Sequence, residues 1–183
     1  KMEHRLTRSA LPRRAKRVFR GQIFDVYQWR QRMFDGSYGV FEKLKRADTV
    51  SVIPVLDDGK ILIIEERQPG RKPFLSVVGG RVDEGESAKR AARREFLEET
   101  GYAARRLKLW NSFRPYDKIV WTIYTFIAYG IKKTGRQKPD PGEIIKVRFV
   151  SPKKLLDLAL KRQIRSMELT NAALRAKADP KEM

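Results

Sequence analysis

Cysteine is absent from this chain, and histidine occurs once, as His4. Disulfides and thiol chemistry are therefore excluded. A zinc site built from Cys and His lacks its ligands, and a Ser-His-Asp triad has no imidazole beyond His4. Acid–base or metal chemistry here must rest on carboxylates, with Lys and Tyr as lesser options. Long hydrophobic runs are missing too. The longest candidate, Ile119 to Ile131, falls short of the ~18 apolar residues a membrane span needs and reads as a buried strand. The first residues carry no apolar signal core, so a cytoplasmic location is expected.

What is present is positive charge: 41 Lys plus Arg against 22 Asp plus Glu, a formal net charge of +19. Such a field draws anions, whether nucleotides, acidic lipid or nucleic acid, without specifying any of them. At 183 residues the chain is long enough for one domain with a real core.

Three segments follow from composition. Residues 1–17 hold Arg5, Arg8, Arg13, Arg14, Lys16 and Arg17 and read as a flexible basic leader. Residues 18–46 are aromatic and β-branched on both sides of Asp35-Gly36, a hairpin signal, and predict a small N-terminal antiparallel sheet. Residues 47–183 form the main domain. TVSVIPVL and KILIIE flank Asp57-Asp58-Gly59 and predict a second hairpin. A short strand is expected near Phe74 to Val78, and others at Leu107 to Phe113, Ile119 to Tyr129 and Ile144 to Val150. Helical spacing of Ala88, Ala91, Ala92 and Phe96 predicts a helix over Ser87 to Thr100, stopped at Gly101. Ser151-Pro152 opens another helix through Leu160, and Ser166 to Lys177 predicts a last one. The order of strands, helix, strands, helices gives an α+β class with a mixed sheet between helices.

The chemistry concentrates in GRVDEGESAKRAARREFLEETGY, Gly80 to Tyr102. On a helix Glu95, Glu98 and Glu99 stand at i, i+3 and i+4 and share one face. Three carboxylates so close repel unless cations neutralise them, and oxygen clusters of this kind suit Mg²⁺ or Mn²⁺. Arg94, one turn before Glu98, can hold a carboxylate in place. Alone, such a charge run reads as a solvated helix face. The spacing decides otherwise. Gly80, Glu86, Arg94, Glu95, Phe96, Glu98, Glu99, Gly101 and Tyr102 fill every constrained position of the Nudix box, with Tyr102 in its apolar slot.

The chain thus resembles the Nudix hydrolase family, whose box runs from strand end through loop to helix. The resemblance implies metal ligation by Glu95, Glu98 and Glu99 with the Gly79 carbonyl, a supporting Glu86–Arg94 pair, and Mg²⁺ or Mn²⁺ as cofactor. It also implies hydrolysis of a pyrophosphate linkage in a nucleoside diphosphate derivative. Beyond the box the chain is similar to the ADP-ribose pyrophosphatase branch, which has a small N-terminal sheet, dimerises through it and stacks adenine on its aromatics. The corresponding candidates are Trp29, Tyr27 and Phe24. In that branch a later loop often supplies the general base, here Glu143 in KPDPGEII, on a segment expected to be irregular and mobile. Glu98 or Glu95 is the alternative base. Arg67, Arg71, Lys72 and Arg114 are candidate phosphate contacts. Where the branch has Gln, any residue, Arg, this chain has Glu65, Glu66, Arg67. It also has Ser76 and Val78 in place of a Glu-any-Pro, and Arg114-Pro115-Tyr116 in place of a Ser-Pro-Gly. The open alternatives are a Nudix hydrolase of nucleoside triphosphates, dinucleoside polyphosphates or capped RNA, and a non-enzymatic nucleic-acid-binding module. The expected partners are a small nucleotide, a second copy of the chain, and nucleic acid through charge alone.

Overall fold

The computed structural model describes residues 11–178. The basic stretch before them, with His4, lies outside the described residues. Among those described, the leader gives way to strand earlier than expected. β1 (Lys16–Arg20), β2 (Asp25–Arg32) and β3 (Tyr38–Lys45) form an antiparallel meander. Its second turn is the one expected at Asp35-Gly36. Gly36 takes φ +88°, and the Asp35 carboxylate accepts from the Ser37 amide at 3.0 Å and its hydroxyl at 2.7 Å.

The next strands depart from expectation in an instructive way. β4 (Thr49–Pro54) and β5 (Ile61–Arg67) do meet at the Asp57-Asp58-Gly59 turn, where Val55 bridges Ile61. They then diverge into different sheets, so the second hairpin is a turn without a ladder. The reason lies in their composition. β4 buries Val50, Val52, Ile53 and Pro54 and β5 buries Ile61, Leu62, Ile63 and Ile64, apolar side chains that fall on both faces of each strand, which suits a central strand, covered on each side. β4 is accordingly flanked by β7 (Val78–Arg81) and β10 (Ile123–Lys133), and β5 by β6 (Phe74–Ser76) and β11 (Ile144–Val150). The single strand expected at Phe74 to Val78 is β6 followed by β7, divided between those two sheets. β8 (Tyr102–Phe113) completes one edge, pairing antiparallel with β10. The strand expected from Ile119 is split as well: β9 (Ile119–Val120) joins β3 in the N-terminal sheet, and β10 runs parallel to β4.

Side-chain alternation along β4 and β5 then builds two cores. Val50, Val52, Leu62 and Ile64 point to one, which they share with Ala91, Ala92 and Phe96 of α1 (Ala88–Thr100). Ile53, Ile61 and Ile63 point to the other, shared with Leu155, Leu158 and Ala159 of α2 (Pro152–Leu160) and with Leu169 and Ala173 of α3 (Met167–Ala178). Short β12 (Ile164–Arg165) pairs with β6 between those helices. The result is α+β, with mixed sheets between α1 on one side and α2 and α3 on the other. Among the described residues no helix is long and apolar enough to cross a membrane.

Helix ends follow the caps in the sequence. Ser87 accepts from the Arg90 amide, Ser151 accepts from the Lys154 amide ahead of Pro152, and Gly101 closes α1 at φ +73°. A Cβ at Gly101 would lie 2.5 Å from the Gly135 carbonyl oxygen. Gly101→Ala therefore combines a left-handed backbone, costing about 1–2 kcal/mol for an L-residue, with a clash against backbone. We expect at least that loss in urea unfolding of metal-free protein; an unchanged midpoint would contradict this placement.

Candidate active site

The site begins where α1 lies on β7. A Cβ on Gly79 would sit 2.1 Å from the Val50 carbonyl oxygen, and one on Gly80 would sit 2.3 Å from the Glu95 carboxyl carbon. Glycine at Gly79 lets β7 pair closely with β4, and the Glu95 carboxylate of α1 fills the space that a side chain on Gly80 would take. Glu99 lies against the same strand. It is buried, and its Oε2 accepts the Gly79 N–H at 3.3 Å.

Arg94 organises the other acids. Its Nη1 donates to Glu95 at 2.8 Å and to Glu98 at 3.2 Å. Its Nη2 donates to Glu86 at 2.9 Å and to the Arg81 carbonyl at 2.9 Å, and Nε reaches the second Glu86 oxygen at 3.3 Å. Asp83 lies 3.5 Å from Nη2. This planar fork matches several carboxylates at once. The Arg94 hydrogen bond holds Glu86 below the usual carboxylate range, and the same contacts, with Glu86 first, raise the arginine. Glu95 is pushed up by burial, against the pull of Arg94. Glu99 is pushed up to about 9, first by burial and then by Glu95, with Glu143 and Glu66 adding to the rise.

The loop after β10 is irregular, as expected, but it is tied down. Thr134 and Gly135 donate to the Gly101 carbonyl at 2.9 and 3.1 Å, and Lys138 donates to the Glu98 carbonyl at 2.7 Å. The loop supplies partners that the last carbonyls of a helix need. It brings Glu143 into the acidic group. Ile144 pairs with Arg67 across β11 and β5, which sets Glu143 beside Gln68, and the Gln68 amide donates to it at 3.5 Å. The same amide donates to Glu66. Burial, then Glu66 and Asp140, push the Glu143 carboxyl up.

Glu66, Gln68, Asp140 and Gln137 were not singled out in the sequence. They belong to no motif, and only the β5–β11 register and the loop path bring them in. Of the basic candidates, Arg67 and Arg71 lie on exposed chain at and beyond the end of β5. Arg114 instead lines a cleft of about 300 Å³ with Lys45, Arg46, Asp83, Val120 and Thr122. Trp29 is buried (8% exposed) with its ring 6.0 Å from Phe41. That burial stands against the stacking role expected of Trp29: the ring is used in packing the N-terminal sheet. The aromatic nearer the cleft is Trp121, which no motif in the sequence marks. The Arg46 guanidinium lies 4.6 Å from its ring centroid, and Phe24 lies 5.5 Å away on the same cation.

Among the described residues no three acids already converge as a metal cage. Glu95 and Glu98 face Arg94, and Glu99 faces the Gly79 amide. The donor set nevertheless fits a hard divalent cation, being all oxygen, with Glu99 buried among acids that all raise its pKa.

That rise sets a sign for stability. The folded-state value, about 9, lies above the ordinary 4.5, so between them the folded chain holds a proton that the unfolded chain releases. Stability is full below the lower value and falls as pH rises through the window. In chelator, Glu99→Gln should therefore stabilise the protein relative to wild type at about pH 8 and little at about pH 4. Thermal unfolding curves that stay parallel across this range would sink the burial assignment.

A family model described as the NUDIX domain matches residues 45–170. The chain is 27% identical over 155 residues to the ADP-ribose pyrophosphatase of Bacillus subtilis (strain 168), covering 81% of this chain and 82% of that protein. It is 34% identical over 104 residues to a putative 8-oxo-dGTP diphosphatase of the same organism, covering 57% and 66%. Its fold is similar to that of a solved ADP compounds hydrolase, with TM-score 0.72 at 21% identity over 90% of each chain. With a complete box on the helix that its capping residues delimit, and a family match spanning more than half its length, this chain belongs to the NUDIX domain family.

Proposed function

We propose that the chain hydrolyses the pyrophosphate linkage of ADP-ribose or another nucleotide sugar, with Mg²⁺ as the working metal. The observation that carries the reading is the acidic face of α1 laid against Gly79-Gly80, with Glu143 held beside it by the loop after β10. The similarity along four-fifths of the chain to an ADP-ribose pyrophosphatase supports the substrate class.

Glu95, Glu98 and Glu99 would hold the metal, close to the backbone of Gly79. Bound there, Mg²⁺ would offset the charge of the pyrophosphate oxygens and acidify water. Arg94 holds Glu95, Glu98 and Glu86 in one arrangement, from which Glu95 and Glu98 would turn to meet the metal. Glu143 is the base: its raised proton affinity suits it to accept the proton of the attacking water. The water oxygen joins one phosphorus, the bridging P–O bond breaks, and two phosphomonoesters leave. The cleft beside Asp83 places Lys45, Arg46 and Arg114 near the box loop, where cations can take the charged or planar parts of a nucleotide.

A second reading is hydrolysis of a nucleoside triphosphate, favoured by the partial similarity to a putative 8-oxo-dGTP diphosphatase. A panel of ADP-ribose, other nucleotide sugars, dinucleoside polyphosphates and nucleoside triphosphates, each with Mg²⁺ and with Mn²⁺, separates the two. We expect ADP-ribose to be cleaved to two monophosphates with the highest kcat/KM. Glu98→Gln should lower turnover by orders of magnitude on the best substrate. Near-normal turnover in that variant would remove the metal-ligand role.

The dimer belongs to the same proposal. The N-terminal sheet leaves Val18, Phe19, Tyr38 and Val40 exposed, apolar side chains that a second copy of the chain could cover. Light scattering at micromolar concentration should give twice the chain mass, and Val40→Glu with Phe19→Glu should shift it toward the monomer. A monomeric wild type would count against this arrangement.

A further inference from the structure

The segment from Thr134 to Glu143 is held to the end of α1 at its near end, by the backbone N–H groups of Thr134, Gly135 and Lys138. Pro139 and Pro141 have no N–H to donate, and Gly142 adds backbone freedom. The last backbone anchor onto α1 is Lys138 on the Glu98 carbonyl. From there a turn closed by the Glu143 N–H on the Asp140 carbonyl oxygen at 2.9 Å leads into β11, whose pairing with β5 fixes the far end, and a side chain ties the two ends to each other.

Gln137 supplies that tie. Its Nε2 donates to the Glu99 carbonyl oxygen at 2.6 Å and to the Ile145 carbonyl oxygen at 3.2 Å. One acceptor is a helix-terminal carbonyl with no partner inside the helix. The other belongs to a buried residue two positions beyond Glu143. A single amide group, with two hydrogens on one nitrogen, thus joins the helix of Glu95, Glu98 and Glu99 to the strand that begins beside Glu143. An amide is the suitable group, since it donates twice without adding charge to an already acidic site.

We propose that Gln137 is a positioning residue for the reaction: it sets the distance between the acids of α1 and Glu143 by bonding the backbone of both elements. This rests on the reading of Glu143 as the base. A misplacement of about 1 Å in such a group can cost about a hundredfold in rate, so the effect should appear in kcat.

The experiment is a double-mutant cycle with the full chain and saturating Mg²⁺. Gln137→Met keeps the length of the side chain and removes both donors; Gln137→Ala is the second variant. Each is combined with Glu143→Gln, and thermal unfolding verifies that every variant is folded. Gln137→Met is expected to lower kcat about tenfold to a hundredfold with KM unchanged, and to cause no further loss in the Glu143→Gln background. In metal-free protein, hydrogen exchange at the Lys138 amide should accelerate. If Glu143→Gln alone leaves turnover at the wild-type level, the base assignment falls and the positioning role falls with it. If Glu143→Gln slows turnover but Gln137→Met does not, the positioning role is overturned and the base stands. The same holds if the Gln137→Met loss persists in full in the double variant.

Discussion

The contact between α1 and the two glycines of β7 is the constraint on which the site depends. A helix normally keeps its acids in water, where they cost little. Here the close approach at Gly79-Gly80 turns Glu95 and Glu99 inward, and desolvation raises both. Removing carboxylates from water costs several kcal/mol each unless charge or hydrogen bonds compensate. Arg94 offsets part of that cost for Glu95, Glu98 and Glu86, while Glu99 has one backbone amide. What is left is a cluster of carboxyl groups at a fixed place, two of them with raised proton affinity, in a protein of strongly positive net charge.

The end of the same helix links this charge to the rest of the site. Its final carbonyls cannot be satisfied within α1, and the loop after β10 satisfies several of them: Glu98 through Lys138, Glu99 through Gln137, and the Gly101 cap through Thr134 and Gly135. A requirement of helix termination therefore holds the loop that leads to Glu143. The local demand of the backbone and the geometry of the acids are met by the same contacts, so a change at Gly101 or Gln137 reaches further than its own position.

Two cores keep these parts in register. Because β4 and β5 present apolar residues on both faces, one pair of strands supports α1 on one side and α2 with α3 on the other. Pairing of β5 with β11 then sets Glu143 beside Gln68. The N-terminal sheet, extended by β9, brings Lys45, Arg46 and Val120 up to Asp83 and Arg114 at the box loop.

Local signals in the sequence determined the helices and the acidic face. Ser87, Gly101, Ser151 and Pro152 delimit α1 and α2 through contacts within a few residues. The spacing of Glu95, Glu98 and Glu99 needs nothing beyond the pitch of a helix. Asp35-Gly36 was legible for the same reason, since a turn is decided by its own residues. Partnership between strands was not legible. The apolar runs of β4 and β5 show that both are buried but not that they part after the Asp57-Asp58-Gly59 turn, and nothing local divides β6 from β7 or β9 from β10. The place of Trp29 in the packing of its sheet, the approach of Trp121 to Arg46, and the gathering of Glu66, Gln68, Gln137 and Asp140 around Glu143 were decided only by tertiary structure. Each depends on which backbone lies across from which, and that is settled by burial summed over the whole chain rather than by any one stretch of it.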